Sequence, residues 1–176
     1  MASGTLLVFV EGGSDRRFFE GIIRPVMAPL RMQIVEYACA PTREINRLLT
    51  EKRSTGSFYL FAKDLDLAPC ATSRKEKTRE THPPLGDRNI IVVSREIESW
   101  YLAGVTNETA RRLGIRNLPA RTDDCVKRDL NRCRPSRFNS DIDFMLEILK
   151  QFDVPLARTR NRSFDYLLRL IEALLT

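Results

Sequence analysis

Apolar residues in the first part of the chain fall into four short blocks: LLVFVE ending at Glu11, MQIVEY at 32–37, FYLFA at 58–62 and NIIVV at 89–93. Near-continuous apolar runs of this length read as strands buried on both faces, the pattern of a parallel sheet. NIIVV, the most β-branched, is the plainest of them. Between the blocks the periodicity changes to that of helices. Phe18, Phe19, Ile22 and Ile23 recur at helical spacing, which predicts a helix capped by Ser14 or Asp15 and running to about Ala28. Gly12 and Gly13 leave room for the tight turn before it. In TREINRLLTEK, Ile45, Leu48 and Leu49 form one apolar edge. The stretch 68–87 reads as a loop with a short helix, and EIESWYLA as a short helix capped by Ser94. Further helices are expected near 108–113, 123–132, 141–152 and 163–175. Alternation of this kind predicts an α/β fold with parallel strands and right-handed crossovers. No internal repeat is present.

Acidic residues stand where the blocks end: Glu11 in VFVEGGSD, Asp64 and Asp66 in YLFAKDLD, Glu96 and Glu98 in SREIESW. Ligands of open α/β sheets bind at this end of the strands. An extended backbone would point Asp64 and Asp66 the same way, and two like charges on one side call for a cation or for basic neighbours. On a helix over EIESWYLA, Glu96 and Glu98 fall roughly 200° apart, so only one reaches a metal shared with the other clusters. Glu98 is the choice, and Glu96 has the helix dipole to satisfy. Hard carboxylate oxygens are the ligands of Mg²⁺ or Mn²⁺, the usual agents of phosphodiester chemistry. Glu11 is a ligand or a general base, two roles that the sequence does not separate. The connection after Asp66 carries Arg74, Lys75, Lys77 and Arg79, with Arg88 just beyond, and its length beside the acids points to function rather than spacing. Lys75 or Arg95 is the candidate for neutralising transition-state charge. Trp100 and Leu102 are expected to pack under the sheet.

VFVEGGSD and KDLD together resemble the Toprim domain, the topoisomerase–primase metal-binding fold. SREIESWYLA and DLDLAPC are similar to segments of small stand-alone Toprim-like proteins of bacteria and archaea, related to the nuclease half of the overcoming-lysogenisation-defect proteins. The resemblance covers roughly the first hundred residues and implies a three-layer Rossmann-type core over 1–105 with a mostly parallel sheet; the helices read beyond it give a helical extension over 106–176, and length and composition agree with one compact domain. The resemblance also implies Mg²⁺ or Mn²⁺ held by Glu11, Asp64, Asp66 and Glu98, with Glu96 as the substitute. The activity it implies is a nuclease acting on DNA or RNA, in defence or mobile-element biology. Lys63, directly before Asp64, departs from the family, which often has an apolar residue there; it either lowers the demand for a metal's charge or points away. Two other readings stay open: a non-catalytic module that binds nucleic acid or a partner protein, and a primase-like nucleotidyl transferase, for which so short a chain leaves little room.

Charge adds a second theme. Between positions 111 and 162 there are 13 basic and 7 acidic residues, so this stretch carries the whole formal excess of +6. Basic surface draws polyanions over about a Debye length. Arg132, Arg134 and Arg137 are therefore candidates for phosphate contact, with Arg74 and Lys75 from the earlier loop. Pairing with Asp123, Asp124, Asp129 and Asp141 is the competing use of these arginines. Nucleic acid is the expected partner, and a homo-oligomer is compatible with the composition. No apolar stretch approaches the ~20 residues of a membrane span, and no signal-peptide pattern opens the chain, so the expected location is the cytoplasm. Cys39, Cys70, Cys125 and Cys133 form no CxxC pair and His82 is the only histidine, which argues for reduced thiols rather than a zinc site.

Overall fold

The computed structural model describes residues 5–28 and 31–175. The four apolar blocks form β1 (Thr5–Val10), β2 (Arg31–Glu36), β3 (Tyr59–Asp64) and β4 (Ile90–Val93). They make one all-parallel sheet in the order β2-β1-β3-β4, flanked by helices, which is the Rossmann-like α/β architecture expected from the alternation. β1 pairs with β2 from Thr5↔Arg31 to Val10↔Glu36, and with β3 from Leu7↔Tyr59 to Phe9↔Phe61.

Side-chain alternation divides the sheet into two faces. On one, Leu7, Phe9, Tyr59, Phe61 and Ile90 pack with Ile45 and Leu49 of α3 (Thr42–Ser54) and with Leu85. On the other, Leu6, Val8 and Val10 are buried as well, so both faces of β1 are dry and its near-continuous apolar run is explained.

The helix expected over 14–28 is interrupted. It comprises α1 (Gly13–Phe18), a π-helical turn (Phe19–Ile23) and α2 (Arg24–Val26). Pro25 supplies the reason: it has no N–H to give and its ring crowds the carbonyl one turn back, and the wider turn, in which the Arg24 N–H bonds the Phe19 carbonyl, absorbs both defects. Neither Ser14 nor Asp15 is the cap residue. Gly12 is, and Asp15 reaches back to its N–H at 3.3 Å from the third helical position. The stretch 68–87, read as a loop with a short helix, holds an eleven-residue helix, α4 (Ala71–Thr81).

Close contacts gather the chain into two compact units, Met1–Val92 and Val93–Thr176. The second contains α5 (Glu98–Ala103), α6 (Asn107–Leu113), α7 (Lys127–Cys133), α8 (Asp141–Leu149), α9 (Val154–Arg160) and α10 (Arg162–Leu175). Ser94 does not cap α5, which starts only at Glu98 because Arg95 adopts a positive φ of 56°. The helices expected at 123–132 and 141–152 are shorter, and α9 was not anticipated. Thr106, Ser140 and Asp153 cap α6, α8 and α9 through their side-chain oxygens. Trp100 is fully buried within this unit, edge-on to Phe164, with its Nε1–H donating to Ser163 Oγ at 2.8 Å. Asn161 is buried beside it. Its amide donates to Ser99 Oγ and Thr122 Oγ1, and its oxygen accepts from Ser163 Oγ and from the Phe164 N–H in the first turn of α10. Each buried polar group in this set has a partner, the condition under which such a network stabilises a core.

Candidate functional site

Parallel register builds the site in the first unit. Continued to the residue after β1, one step past the last β2 pair and two past the last β3 pair, it brings Glu11, Tyr37 and Lys63 level with one another on the face that carries Phe9 and Phe61. Their side chains meet: Lys63 Nζ donates to Glu11 Oε2 at 2.7 Å, and the Tyr37 hydroxyl donates to the same oxygen at 3.2 Å and lies 3.3 Å from the Ala62 carbonyl. The Tyr37 ring stacks on Phe61 with centroids 4.5 Å apart, and the Lys63 ammonium lies 5.5 Å from the centroid of that tyrosine ring.

Burial acts to raise the Glu11 pKa. Lys63, by hydrogen bond and charge, together with Tyr37 and the more distant Arg74, outweighs it and holds the carboxyl below its usual range. Asp15, only 7% exposed, goes the other way. Burial, reinforced by the negative charge of Glu11, pushes it up to about 6 against the hydrogen bond from Gly12. Tyr37 is pushed far above the ordinary phenol value, first by burial and then by Glu11, Asp15 and Asp64. Three carboxylates thus bear on one hydroxyl.

The extended backbone that would align Asp64 with Asp66 does not continue to Asp66. Asp64 ends β3, whereas Asp66 sits in a left-handed turn with φ of 50° and is exposed. Arg74 is the basic partner of Asp66, bonding its carboxylate through Nη2, and it donates through Nε to the backbone carbonyl of Asp64 at 2.6 Å. Lys75 is engaged elsewhere, donating to the Asp87 carbonyl at 3.0 Å. Glu96 and Glu98 belong to the second unit. Glu96 precedes α5 instead of lying on it, and its carboxylate accepts from the Lys127 N–H, so the helix terminus that it serves is that of α7. Glu98 is buried at the first position of α5.

The three arginines singled out in the second unit differ. Arg134 lies 3.0 Å from Asp141 and donates to the Phe138 carbonyl at 2.7 Å. Arg137 donates to the Arg112 carbonyl and lies 4.9 Å from the Phe138 ring centroid. Arg132 is 67% exposed and 3.6 Å from Asp129.

Sequence reasoning missed Tyr37 and His82 as site residues. Tyr37 was legible only through strand register. His82, whose Nδ1 lies 2.7 Å from Asn46 Oδ1, had no local motif around it. Among the described residues, no group of three or more His, Cys, Asp or Glu is arranged to hold a metal ion. Comparison with protein-family models, curated proteins and solved structures finds no match.

Proposed function

We propose that the protein is a Toprim-like enzyme of nucleic acid, a Mg²⁺- or Mn²⁺-dependent nuclease with its chemistry at the carboxyl ends of β1 and β3. One observation carries the reading: Glu11 directly follows β1, Asp64 ends the strand hydrogen-bonded beside it, and both charges, with that of Asp15, bear on Tyr37. These are hard oxygen donors at the ligand-binding end of a parallel sheet, and the donor set suits these ions in kind. A bound ion would polarise a phosphoryl oxygen and lower the pKa of the attacking water. Glu11, kept ionised by Lys63 and Tyr37, serves as ligand or general base. Lys63 is the counterion with which a metal competes for Glu11. Arg74 braces the turn between β3 and α4 by holding both Asp64 and Asp66.

A second reading, a non-catalytic nucleic-acid-binding module, has its own support. Each of the two acidic motifs already carries a basic partner, Glu11 with Lys63 and Asp66 with Arg74, and no metal-holding group is formed among the described residues. Incubation with single- and double-stranded DNA and RNA, with Mg²⁺, with Mn²⁺ and with a chelator, separates the two. Metal-dependent cleavage that Asp64→Asn lowers by about a hundredfold or more is the expected result, because that change weakens the ligand without altering its size. Cleavage unchanged in Asp64→Asn would place the chemistry elsewhere, and binding without cleavage would leave the module.

A further inference from the structure

Beside the strand ends, α4 and the start of α3 bound a cleft of about 300 Å³ whose charge the acidic residues do not explain. α4 is polar throughout and buries only Thr78, so core packing does not account for its place. Polar bonds hold it instead, from Arg74 to the Asp64 carbonyl and from Lys75 to the Asp87 carbonyl. Arg74, Lys77, Thr78 and Thr81 recur at the i, i+3, i+4, i+7 spacing of one helix face, and that face lines the cleft. Lys63 reaches the cleft from β3, and no carboxylate is among the lining residues. Lys63 and Arg74 each have a carboxylate partner, whereas Lys77 is exposed and makes no ion pair among the described residues.

Aromatic rings line the cleft as well: His82, directly after α4, has its ring 5.0 Å from that of Phe61, and Tyr37 is stacked on the same phenylalanine. Asn46 Nδ2 donates to the Thr81 carbonyl, which orients the amide so that its oxygen accepts from His82 Nδ1–H. The remaining ring nitrogen is then an acceptor. Burial, with Lys63 nearby, lowers the His82 pKa and so favours the neutral ring. A cleft that sets Lys63, Arg74 and Lys77 beside flat, hydrogen-bonding rings matches a ligand that is anionic at one end and heterocyclic at the other.

We infer that this cleft is a nucleotide-phosphate subsite, in which Lys77, Arg74 and Lys63 hold the phosphate of a nucleotide unit with His82 beside its nucleoside. The choice of a nucleotide over other phosphate esters rests on the nucleic-acid reading above. The unit is a free nucleotide or one residue of a strand.

Because the chain has a single histidine, the His82 ring Cε1–H resonance reports on this cleft alone. The full chain, with a chelator present so that cleavage plays no part, is titrated separately with a nucleoside 5′-monophosphate, the parent nucleoside, inorganic phosphate and a short single-stranded oligonucleotide. A saturable shift with the monophosphate, the oligonucleotide or both is expected, and which of them saturates identifies the source. Lys77→Ala is expected to weaken that binding by about fivefold to tenfold, the scale of one exposed charge-assisted contact, and Lys77→Arg to preserve it. Silence of the resonance toward both phosphate-bearing probes at millimolar concentration would overturn the inference. So would an equal response to the nucleoside or to inorganic phosphate, or wild-type affinity in Lys77→Ala. A shift without metal-dependent cleavage in the separate assay would remove the nuclease and leave the subsite, and cleavage without a shift would do the reverse.

Discussion

Glu11 keeps its charge at a half-buried position because the register delivers Lys63 and Tyr37 to it. Lys63→Met removes the ammonium and retains most of the stem. With a folded pKa below its unfolded value, Glu11 adds stability above the unfolded pKa, and that stability is lost as pH falls through the folded pKa. The variant should therefore lose about 1 kcal/mol at pH 7, a figure reduced for solvent because Glu11 is 43% exposed, and should match the wild type in acid. Urea unfolding at both pH values measures the difference. Asp15 has the opposite sign. Its folded pKa of about 6 lies above the ordinary 3.8, so the folded state binds the proton more tightly and stability falls as pH rises from about 4 to 6. Asp15→Asn keeps an acceptor for the Gly12 N–H and sheds the buried charge. It should be more stable than wild type at pH 7.5 by about 1–3 kcal/mol, with the gain gone near pH 4. Equal gains at both pH values would mean that charge is not the cause.

At the scale of elements, α5 ends at Gly104 for want of space. A Cβ there would lie 2.4 Å from the Phe152 ring, and the Gly104 carbonyl accepts from the Asp153 N–H at 2.9 Å, which ties the end of α5 to the entry of α9. Gly104→Ala should destabilise by about 1–3 kcal/mol, the range for overpacking, and Phe152→Ala in the same chain should cost less than the two changes summed. Thermal unfolding of the four proteins in that cycle tests the coupling. Which elements were legible in the sequence follows from what holds them. β1 and β3 stand out because both of their faces are buried, and α3 because Ile45 and Leu49 meet the core at helical spacing. α4 has no apolar period to read, since its fixed points are Arg74 and Lys75, and α9 hides behind a proline in its first turn. The carboxylates at the strand ends were visible as motifs. Their partners were not, because Lys63 and Tyr37 reach Glu11 across strands, through a register that no local pattern specifies.

At the scale of the whole molecule, the +6 excess lies on a stretch whose arginines are not equivalent. Arg134 is held by Asp141 and the Phe138 carbonyl, so Arg134→Ala should cost about 1–2 kcal/mol of stability through broken bonds. Arg132, largely exposed, is the better candidate for the proposed phosphate contact, and in that role Arg132→Ala should reduce the slope of log affinity against log salt by about one while leaving the fold unchanged. Nucleic-acid titrations at several salt concentrations measure that slope, and an unaltered slope would assign Arg132 to solvent. None of the described helices is long and apolar enough to cross a membrane. The place of β1 in the sheet has a consequence for synthesis. This strand is made before both of the neighbours between which it lies, one of which begins only at Tyr59. While the intervening chain is being made, the uncharged run LLVFV keeps a hydrogen-bonding edge open, the kind of segment that pairs with copies of itself. The vulnerable interval in the life of this protein is therefore the time needed to translate α3, and a pause there lengthens the exposure of β1 that only the arrival of β3 ends.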